Sequence, residues 1–363
     1  TAANVAENYT YSIQPVFVWN VLFLLLYLAI MWRCPVPKKM GWKKRVIMLI
    51  VIGLLGSVLG HFVVEQKTLK NFGIKNNVWD QKKGYAKNGL FFGFVLNMNS
   101  LVQEKPSDYS VEAAKDIAEK YEEKFANEDS DKKKKGRLET ADGTKPNVIG
   151  IMNEAFSDLS VINEFSTNED YMPFIHSLTE NTIKGYLSMP VFGAGTSNSE
   201  FEFLSGDSIS FLPTGCNVYQ SYVKDSIPSL VSTLGSLGYS KTAFHPYYGD
   251  GWNRRNVYPL LGFDNYISIE DFVDQDILDT YKQNNDVTQY ETLLKERYPD
   301  RDMLLRRFVS DSYDYSMVEN MFENRDTSKP FFLFNVTMQN HGGYAMSYTN
   351  FAQEIYVTNM STV

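Results

Sequence analysis

Two short segments carry side chains whose types and spacing suit nucleophilic chemistry. Residues Gly193–Gly206 read GAGTSNSEFEFLSG, where a glycine-bounded turn delivers Thr196 among small polar residues. Residues Pro146–Leu159 read PNVIGIMNEAFSDL, in which an apolar run leads into Glu154. A threonine hydroxyl is a poor nucleophile until a base or a metal ion activates it. Because no Asp or His directly neighbours Thr196, metal assistance is favoured; a Thr that caps a helix over Ser197–Leu204 is the alternative.

The position of Glu154 bears on the kind of metal ion. The residue follows a strand predicted over Val148–Met152, and open α/β sheets bind their ligands at the carboxyl ends of strands. A carboxylate there suits a hard cation such as Mn²⁺ or Mg²⁺. Surface glutamates often follow strands too, so the metal-binding interpretation of Glu154 needs support from other segments of the chain.

Two further segments complete a resemblance to a known family. They read FHPYYGDGWNRRNVY and NVTMQNHGGY, from Phe244 and Asn335 respectively. In this order the four segments resemble the lipoteichoic acid synthase family, membrane-anchored phosphoglycerol transferases with an extracellular, sulfatase-like domain of the alkaline-phosphatase superfamily. The resemblance implies that Glu154 binds a divalent metal, Mn²⁺ before Mg²⁺, and that Thr196 is both metal ligand and nucleophile. It also implies a substrate-binding set, which consists of His245, Trp252, Arg254 and His341.

The residue types of this set suit a phosphoglycerol head group. Arginine holds phosphate oxygens through paired hydrogen bonds, and histidine can add a donor. Trp252 offers a flat apolar wall for glycerol, and His341 could donate a proton to the leaving alkoxide or stabilise phosphoryl oxygens. The family often has an Asp two residues after His245. Here Tyr247 stands in that place, and Asp250 could substitute from the same loop.

The resemblance implies transfer of glycerol phosphate from phosphatidylglycerol to a growing, glycolipid-anchored glycerol phosphate polymer through a threonine-linked intermediate. A phosphoethanolamine transferase or another sulfatase-superfamily enzyme is an alternative, and so is a non-catalytic membrane protein that binds envelope polymers. The family completes its metal site with an adjacent Asp-His pair, which does not occur up to Val363. We therefore expect a fragment, truncated at both ends, that binds a metal ion weakly and is inactive as it stands.

Residues 1–64 differ in character from the rest of the chain. Apolar runs over Val16–Trp32 and Val46–Val64 are each long enough to cross about 30 Å of hydrocarbon as a helix. The loop between them is rich in Lys and Arg and has no acid, which favours a cytoplasmic loop. We predict two transmembrane helices in a bacterial cell membrane, with the large domain outside. The net charge of −8 argues against a nucleic-acid partner.

Residues 65–145 are predicted to connect this anchor to a catalytic domain over residues 146–363. Asn88–Leu101 is an apolar segment that is too short to span a membrane. Two interpretations remain open for it: a segment that lies in the membrane interface, and a small packed helix. Val111–Phe125 has helical spacing. Ala126–Gly136 carries a run of charges and is predicted to be an exposed hinge.

From Pro146 onward, short apolar runs alternate with helical patterns. This alternation predicts an α/β domain of the sulfatase-like, alkaline-phosphatase type, with a mostly parallel sheet covered by helices. The predicted strands are Val148–Met152, Thr182–Leu187, Ser240–Phe244 and Phe331–Val336. The predicted helices are Tyr171–Glu180, Ser197–Leu204, Ile227–Leu237 and Asp302–Phe322.

Overall fold

A computed structural model of the chain describes residues 15–33, 41–64, 66–75, 81–98, 108–126 and 143–359, except 192, 194, 214 and 345. The chain divides into two compact units. The first holds the helices before residue 108 together with residues 212–216, and the second holds the remaining described residues. Except for Ala126, the predicted hinge over Ala126–Gly136 lies outside the described residues.

A four-stranded parallel sheet is the centre of the second unit. The strands of the described residues are β1 (Val148–Met152), β2 (Ser240–His245), β3 (Asn265–Ser268), β4 (Leu304–Leu305), β5 (Phe308–Val309) and β6 (Phe331–Val336). Their order in the sheet is β1-β6-β2-β3, while β4 and β5 form a separate antiparallel pair. Every residue of β6 is buried, which explains its continuous apolar run, whereas β1 lies at the edge with alternating exposure.

Helices pack on both faces of this sheet, as the α/β prediction requires. On one face, Val318 packs against Phe331 and Leu333 of β6. On the other face, Phe203 stacks on Phe334 with ring centroids 5.7 Å apart. The α-helices of this unit are Val111–Ala126, Pro173–Ser177, Thr196–Ser205, Val218–Ser221, Leu230–Ser236, Arg254–Leu261, Gln275–Asn284, Val287–Arg297 and Asp311–Glu323.

Two predicted elements are wrong. Residues Thr182–Leu187 form no strand, and Ile183 and Tyr186 are exposed, so their apolar side chains have no core to face. The helix predicted over Asp302–Phe322 starts only at Asp311, where the Ser310 hydroxyl accepts a hydrogen bond from the Tyr313 amide. The residues before it form the β4–β5 hairpin.

Other predicted helices are present but shorter. The Tyr171–Glu180 pattern yields Pro173–Ser177, with Pro173 at the first helical position, where its missing N–H costs nothing. The Ile227–Leu237 pattern yields Leu230–Ser236, because a capping box between Ser229 and Ser232 fixes its start. In both cases local backbone chemistry sets the boundary.

The first unit contains the helices Pro15–Arg33, Trp42–Val64, Gln66–Asn71 and Gln81–Met98. The first two coincide with the predicted apolar runs. Within the residues described, however, no helix is both long enough and apolar enough to cross a membrane. The last helix covers most of the predicted Asn88–Leu101 segment and is kinked at Gly89 (φ 75°). Its Phe91 and Phe94 are exposed, while Leu96 is buried.

Candidate active site

The carboxyl ends of β1, β6 and β2 lie side by side at one edge of the sheet, because the three strands are parallel neighbours. Thr337, directly after β6, is fully buried and links two of these ends. Its hydroxyl accepts a 3.1 Å hydrogen bond from the Glu154 amide and donates one of 3.1 Å to Asn153 Oδ1. The turn that carries Glu154 is therefore fixed to the central strand. Ala155, the next residue, has a left-handed backbone (φ 56°) that non-glycine residues rarely adopt.

Thr196 meets Glu154 at this edge. Its hydroxyl donates a 2.7 Å hydrogen bond to Glu154 Oε2. Thr196 is the first residue of its helix, and the capping position is Gly195, which has a left-handed backbone (φ 70°) and no side-chain cap. The alternative in which Thr196 caps the helix is therefore wrong: its side chain bonds a carboxylate instead of the helix amides.

The helix Thr196–Ser205, here called the Thr196 helix, is anchored next to Thr196. Ser197 and Asn198 are buried. The Asn217 side chain donates a 2.7 Å hydrogen bond to Ser197 Oγ, and Asn198 Oδ1 accepts one of 3.0 Å from the Val218 amide. These contacts hold the start of the helix, and with it the Thr196 hydroxyl, in one position.

Arg254 forms a buried ion pair with Glu200 of the same helix. Both residues are at most 2% exposed. Nε and Nη2 of the guanidinium donate to the Glu200 carboxylate, and Tyr258 donates a 2.8 Å hydrogen bond to Glu200 Oε2. Burial alone would lower the pKa of Arg254, but the Glu200 carboxylate reverses this and holds that pKa well above its usual value. Arg254 therefore stays a cation.

The same pair limits how Arg254 can bind phosphate. Glu200 occupies the Nε–Nη2 side of the guanidinium, and Nη1 makes only a 3.4 Å contact with the Gly251 carbonyl. The edge formed by Nη1 and the second Nη2 proton is not used by Glu200, although Arg254 as a whole is only 2% exposed. Glu200 itself lies one helical turn from Thr196.

His245, the last residue of β2, is buried and neutral. Its Nδ1 lies 2.7 Å from the Val336 carbonyl, and because a carbonyl only accepts, Nδ1 carries the proton. Burial and then the Arg254 charge depress the pKa of His245 well below 6.5, and His341 adds a smaller effect. Nε2 is consequently an acceptor. This differs from the expected donor role: His245 can accept from a hydroxyl.

Trp252 and Asp250 lie in the loop after β2. Trp252 and Asn253 both have left-handed backbones, with φ of 58° and 70°. The buried Asn253 side chain donates to the Tyr219 carbonyl at 3.1 Å, which holds this conformation. Trp252 is 37% exposed and available to a ligand. Asp250 pairs with Arg255 at 3.3 Å, so the proposed substitute carboxylate has a cationic partner.

His341 is exposed. Its ring contacts the Phe308 ring with centroids 5.6 Å apart, and Phe308 in turn contacts Tyr247 at 5.9 Å. Tyr247 contacts the His245 ring at 6.1 Å. A series of aromatic contacts therefore connects the two histidines, and Tyr247, which stands where the resembling family has an Asp, is part of this packing.

The donor atoms of Glu154 and Thr196 fit a hard divalent cation. Two oxygens bound to one such ion at about 2.1 Å and at right angles lie about 3 Å apart, close to the 2.7 Å observed. Among the described residues, no group of three or more His, Cys, Asp or Glu side chains is placed to hold a metal ion. The pair thus provides two oxygen ligands.

The comparison with known families agrees with this geometry. The Sulfatase family matches residues 146–359, more than half of the chain and the whole of the parallel sheet. The chain belongs to the Sulfatase family. The fold, the strand-end glutamate and the glycine-bounded threonine now have a common setting in a Sulfatase domain.

Two curated proteins resemble this chain in sequence. A putative cyclic β-1,2-glucan modification protein of Rhizobium meliloti is 30% identical over 74% of this chain and 34% of its own length. A lipoteichoic acid synthase of Staphylococcus saprophyticus is 26% identical over 60% of this chain and 30% of its own length. The chain thus spans about a third of these relatives.

One solved structure supports the fold. The Streptococcus pyogenes phosphoglycerol transferase GacH, in complex with sn-glycerol-1-phosphate, aligns with a TM-score of 0.50 and 21% identity. The alignment covers 71% of this chain and 59% of that chain. At this identity the likeness concerns the fold of the Sulfatase domain.

Glu154 and Thr196, expected to bind the same metal ion, are in contact. The supports of this contact were not foreseen. The roles of Thr337 and of the Glu200–Arg254 pair were not predicted. The signal for Glu200 was available, since it follows Thr196 by four residues on a predicted helix and so shares its face. No sequence signal marked Thr337, whose importance depends on the neighbouring strand.

Proposed function

We propose that this Sulfatase-family chain is a phosphoglycerol transferase that moves glycerol phosphate from phosphatidylglycerol to a growing polyglycerolphosphate chain. The hydrogen bond between Thr196 and Glu154 carries the proposal, because it joins a hydroxyl nucleophile to a carboxylate at the ligand-binding edge of the sheet. A relative named lipoteichoic acid synthase supports the same reaction class.

We propose that the Glu154 carboxylate and Thr196 Oγ hold a divalent cation, with Mn²⁺ preferred and Mg²⁺ the alternative. The bound ion would lower the pKa of the Thr196 hydroxyl and offset charge on the phosphoryl oxygens. Hard oxygen donors at this separation suit both ions. The donor set does not distinguish between them.

In the first step, Thr196 Oγ forms a bond to the phosphorus of phosphatidylglycerol while the bond from phosphorus to the diacylglycerol oxygen breaks. The Thr196 proton passes to Glu154, which already accepts it in a hydrogen bond. The Nη1–Nη2 edge of Arg254 donates to phosphoryl oxygens, and His341 protonates the departing alkoxide. The products are diacylglycerol and a glycerophospho-threonine.

In the second step, a hydroxyl of the acceptor attacks the phosphorus and the bond to Thr196 Oγ breaks. Glu154 returns its proton to Oγ, which restores the threonine. His341, now deprotonated, takes the acceptor's proton. His245 Nε2 accepts a hydrogen bond from a glycerol hydroxyl, and the exposed face of Trp252 packs on the glycerol carbons. The buried, fixed supports of these side chains keep the reacting groups aligned.

A second acceptor class is favoured by one observation. The relative with 30% identity is named as a cyclic β-1,2-glucan modification protein, so a glucan hydroxyl is a candidate acceptor in place of a glycerol phosphate polymer. The first step would be the same for both. A donor assay distinguishes this proposal from its two alternatives, which are phosphoethanolamine transfer from a different lipid donor and non-catalytic polymer binding.

We also propose that the protein is located in a bacterial cell membrane, with the Sulfatase domain outside. The helices Pro15–Arg33 and Trp42–Val64 leave many large apolar side chains exposed, among them Leu22, Phe23 and Leu49. An exposed apolar surface of this kind marks a site of interaction. The partner we propose is membrane lipid, because the proposed donor, phosphatidylglycerol, is itself a membrane lipid. Protease accessibility of the Sulfatase domain in intact cells tests the orientation.

The donor experiment uses the full-length protein in detergent with Mn²⁺ and either phosphatidylglycerol or phosphatidylethanolamine. We expect diacylglycerol release from phosphatidylglycerol and, without an acceptor, a phosphoglycerol adduct on the peptide that contains Thr196. Adding glycerol phosphate oligomers or cyclic glucan in turn identifies the acceptor. An adduct from phosphatidylethanolamine alone, or from neither lipid, overturns the proposal.

A further inference from the structure

We propose that Arg306 is a positioning residue that fixes the loop carrying His341, and thereby sets the direction from which His341 acts on the substrate. The inference rests on the proposed function of His341, but its structural part can be tested independently. The loop in question, here called the His341 loop, comprises residues 338–344. Arg306 lies in the turn of the β4–β5 hairpin, thirty-five residues earlier.

The guanidinium of Arg306 makes direct contacts with this loop. Nη2 donates to the main-chain carbonyls of Gln339 and His341, the latter at 2.7 Å. The ring of Tyr344 lies 4.0 Å from the guanidinium carbon, within the range of a cation–π contact. Arg306 therefore touches the loop before His341, at His341 and after it.

The burial of Arg306 indicates that these contacts are not surface accidents. The residue is 1% exposed, and among the described residues no carboxylate pairs with it. Taking an arginine out of water is costly unless its donors are used. Here two main-chain carbonyls of the His341 loop take the place of a carboxylate for Nη2, while Nη1 is buried without a hydrogen-bond partner among the described residues. The stability of the buried cation therefore depends on the loop's conformation.

The arginine is itself held in an uncommon backbone conformation. Its φ is 56°, in the left-handed region, and its carbonyl accepts a 3.0 Å hydrogen bond from the Asn350 side chain. A non-glycine residue in this region stores strain that the surroundings must offset. The hairpin turn thus aims the side chain at one place, and that place is the His341 loop.

A general acid must lie within hydrogen-bond reach of the atom it protonates. His341 is exposed, and its ring contacts the Phe308 ring with centroids 5.6 Å apart. The main-chain contacts of Arg306 therefore help to hold the backbone that carries the imidazole, together with Asp311, whose amide and side chain bind Gln339 and Asn340 of the same loop. Loss of Arg306 should reduce the action of His341 without affecting the contact between Thr196 and Glu154.

The test is a double-mutant cycle in the full-length protein, using Arg306→Gln, His341→Ala and the double variant with phosphatidylglycerol as donor. We expect His341→Ala to lower kcat by about a hundredfold, the lower end for a general acid. Arg306→Gln should lower kcat by about tenfold with little change in KM. The double variant should be no slower than His341→Ala alone, since the two residues act as one unit.

Arg306→Lys keeps the charge but not the planar fork, and should recover part of the loss. It also replaces Arg306→Gln in the cycle if that variant does not fold. Arg325→Gln is the matched control. Arg325 also donates to a carbonyl and stacks on an aromatic ring, but both belong to Phe322, which lies outside the His341 loop. It should leave kcat unchanged.

A readout without catalysis separates this inference from the proposed function. In ¹H–¹³C spectra of histidine-labelled protein, Arg306→Gln should shift the ring signal of His341, assigned with His341→Ala, and leave that of His176 in place. If the loss of kcat in the double variant equals the product of the losses in the two single variants, the positioning role is wrong. An unshifted His341 signal overturns it as well. Absence of turnover in the wild type with a shifted His341 signal overturns the proposed function only.

Discussion

Thr196 Oγ and Glu154 Oε2 lie 2.7 Å apart, although forty-two residues separate them in the chain. The parallel sheet brings them together: Glu154 follows β1, and its amide is fixed by Thr337 after β6. The helix that begins at Thr196 is held by its own buried polar residues. Thr196 and its carboxylate partner are thus placed by two independent supports.

Thr196→Ala should abolish turnover of phosphatidylglycerol and leave the fold intact. The substitution removes the only atom that can form the covalent intermediate, and one of the two proposed metal ligands. Diacylglycerol release and the circular dichroism spectrum are the measurements. Thr292→Ala is the control, since the Thr292 hydroxyl bonds only the Thr288 carbonyl of its own helix. Activity above about a tenth of wild type, a loss below ~1.4 kcal/mol, would make Thr196 structural.

Glu154→Gln should remove the stabilisation that Mn²⁺ gives to the protein. A ligand that binds only the folded state raises Tm by an amount that grows with the logarithm of its concentration divided by Kd, and an amide is a far weaker ligand than a carboxylate for a hard cation. Thermal unfolding with and without MnCl₂, reversed by a chelator, measures this. Glu202→Gln should keep the Mn²⁺ response, because Glu202 instead binds the Ile209 amide at 2.7 Å. Equal Mn²⁺ shifts in wild type and Glu154→Gln would contradict the site.

Glu200→Gln should destabilise the Sulfatase domain by about 3–5 kcal/mol, since it leaves the buried Arg254 without a counter-charge. Glu291→Gln removes the carboxylate of a helix pair whose Lys295 is mostly exposed, and should cost less than about 1 kcal/mol. Urea unfolding of both variants measures the difference. Equal, small losses would show that Arg254 finds another partner or that the pair is not buried in solution.

Asp314 should make stability fall as pH rises. Burial raises the pKa of Asp314 from 3.8 to about 8, partly opposed by the hydrogen bond from Asn335, with Asp311 adding a further increase. The native carboxyl therefore keeps its proton between about pH 4 and pH 8, where the unfolded one has lost it. Since the folded state binds more protons, stability declines through this range and the loss is complete above the folded pKa.

The geometry agrees with a protonated Asp314. Asn335 Nδ2 donates to Asp314 Oδ1 at 2.8 Å, while Asp314 Oδ2 and Asn335 Oδ1 are both buried with no partner. One proton on Oδ2 would satisfy both oxygens. Asp314→Asn should abolish the decline in the free energy of unfolding between pH 5 and pH 8. Asp326→Asn should not, because hydrogen bonds from Ser328 lower the pKa of Asp326. A decline that persists in Asp314→Asn would refute the assignment.

Local patterns in the sequence predicted the parts of the site that depend on short-range chemistry. The apolar runs of β1 and β6 indicated strands, and the glycine-bounded turn indicated the position of Thr196. Since the carboxyl ends of parallel strands meet at one edge, the position of Glu154 and His245 at the same edge followed from the predicted fold class. The roles given to these residues and the membrane location stay predictions.

What only the tertiary structure decided depends on burial and on neighbours distant in sequence. The apolar residues around Ile183 have strand-like spacing, but no core lies opposite them and they remain exposed. The run before Asp311 turns into a hairpin because Arg306 adopts a left-handed backbone and reaches the His341 loop. Hydropathy and periodicity report which side chains avoid water. They do not report which carboxylate, carbonyl or ring will surround a buried arginine, and that determines how Arg254 and Arg306 are used.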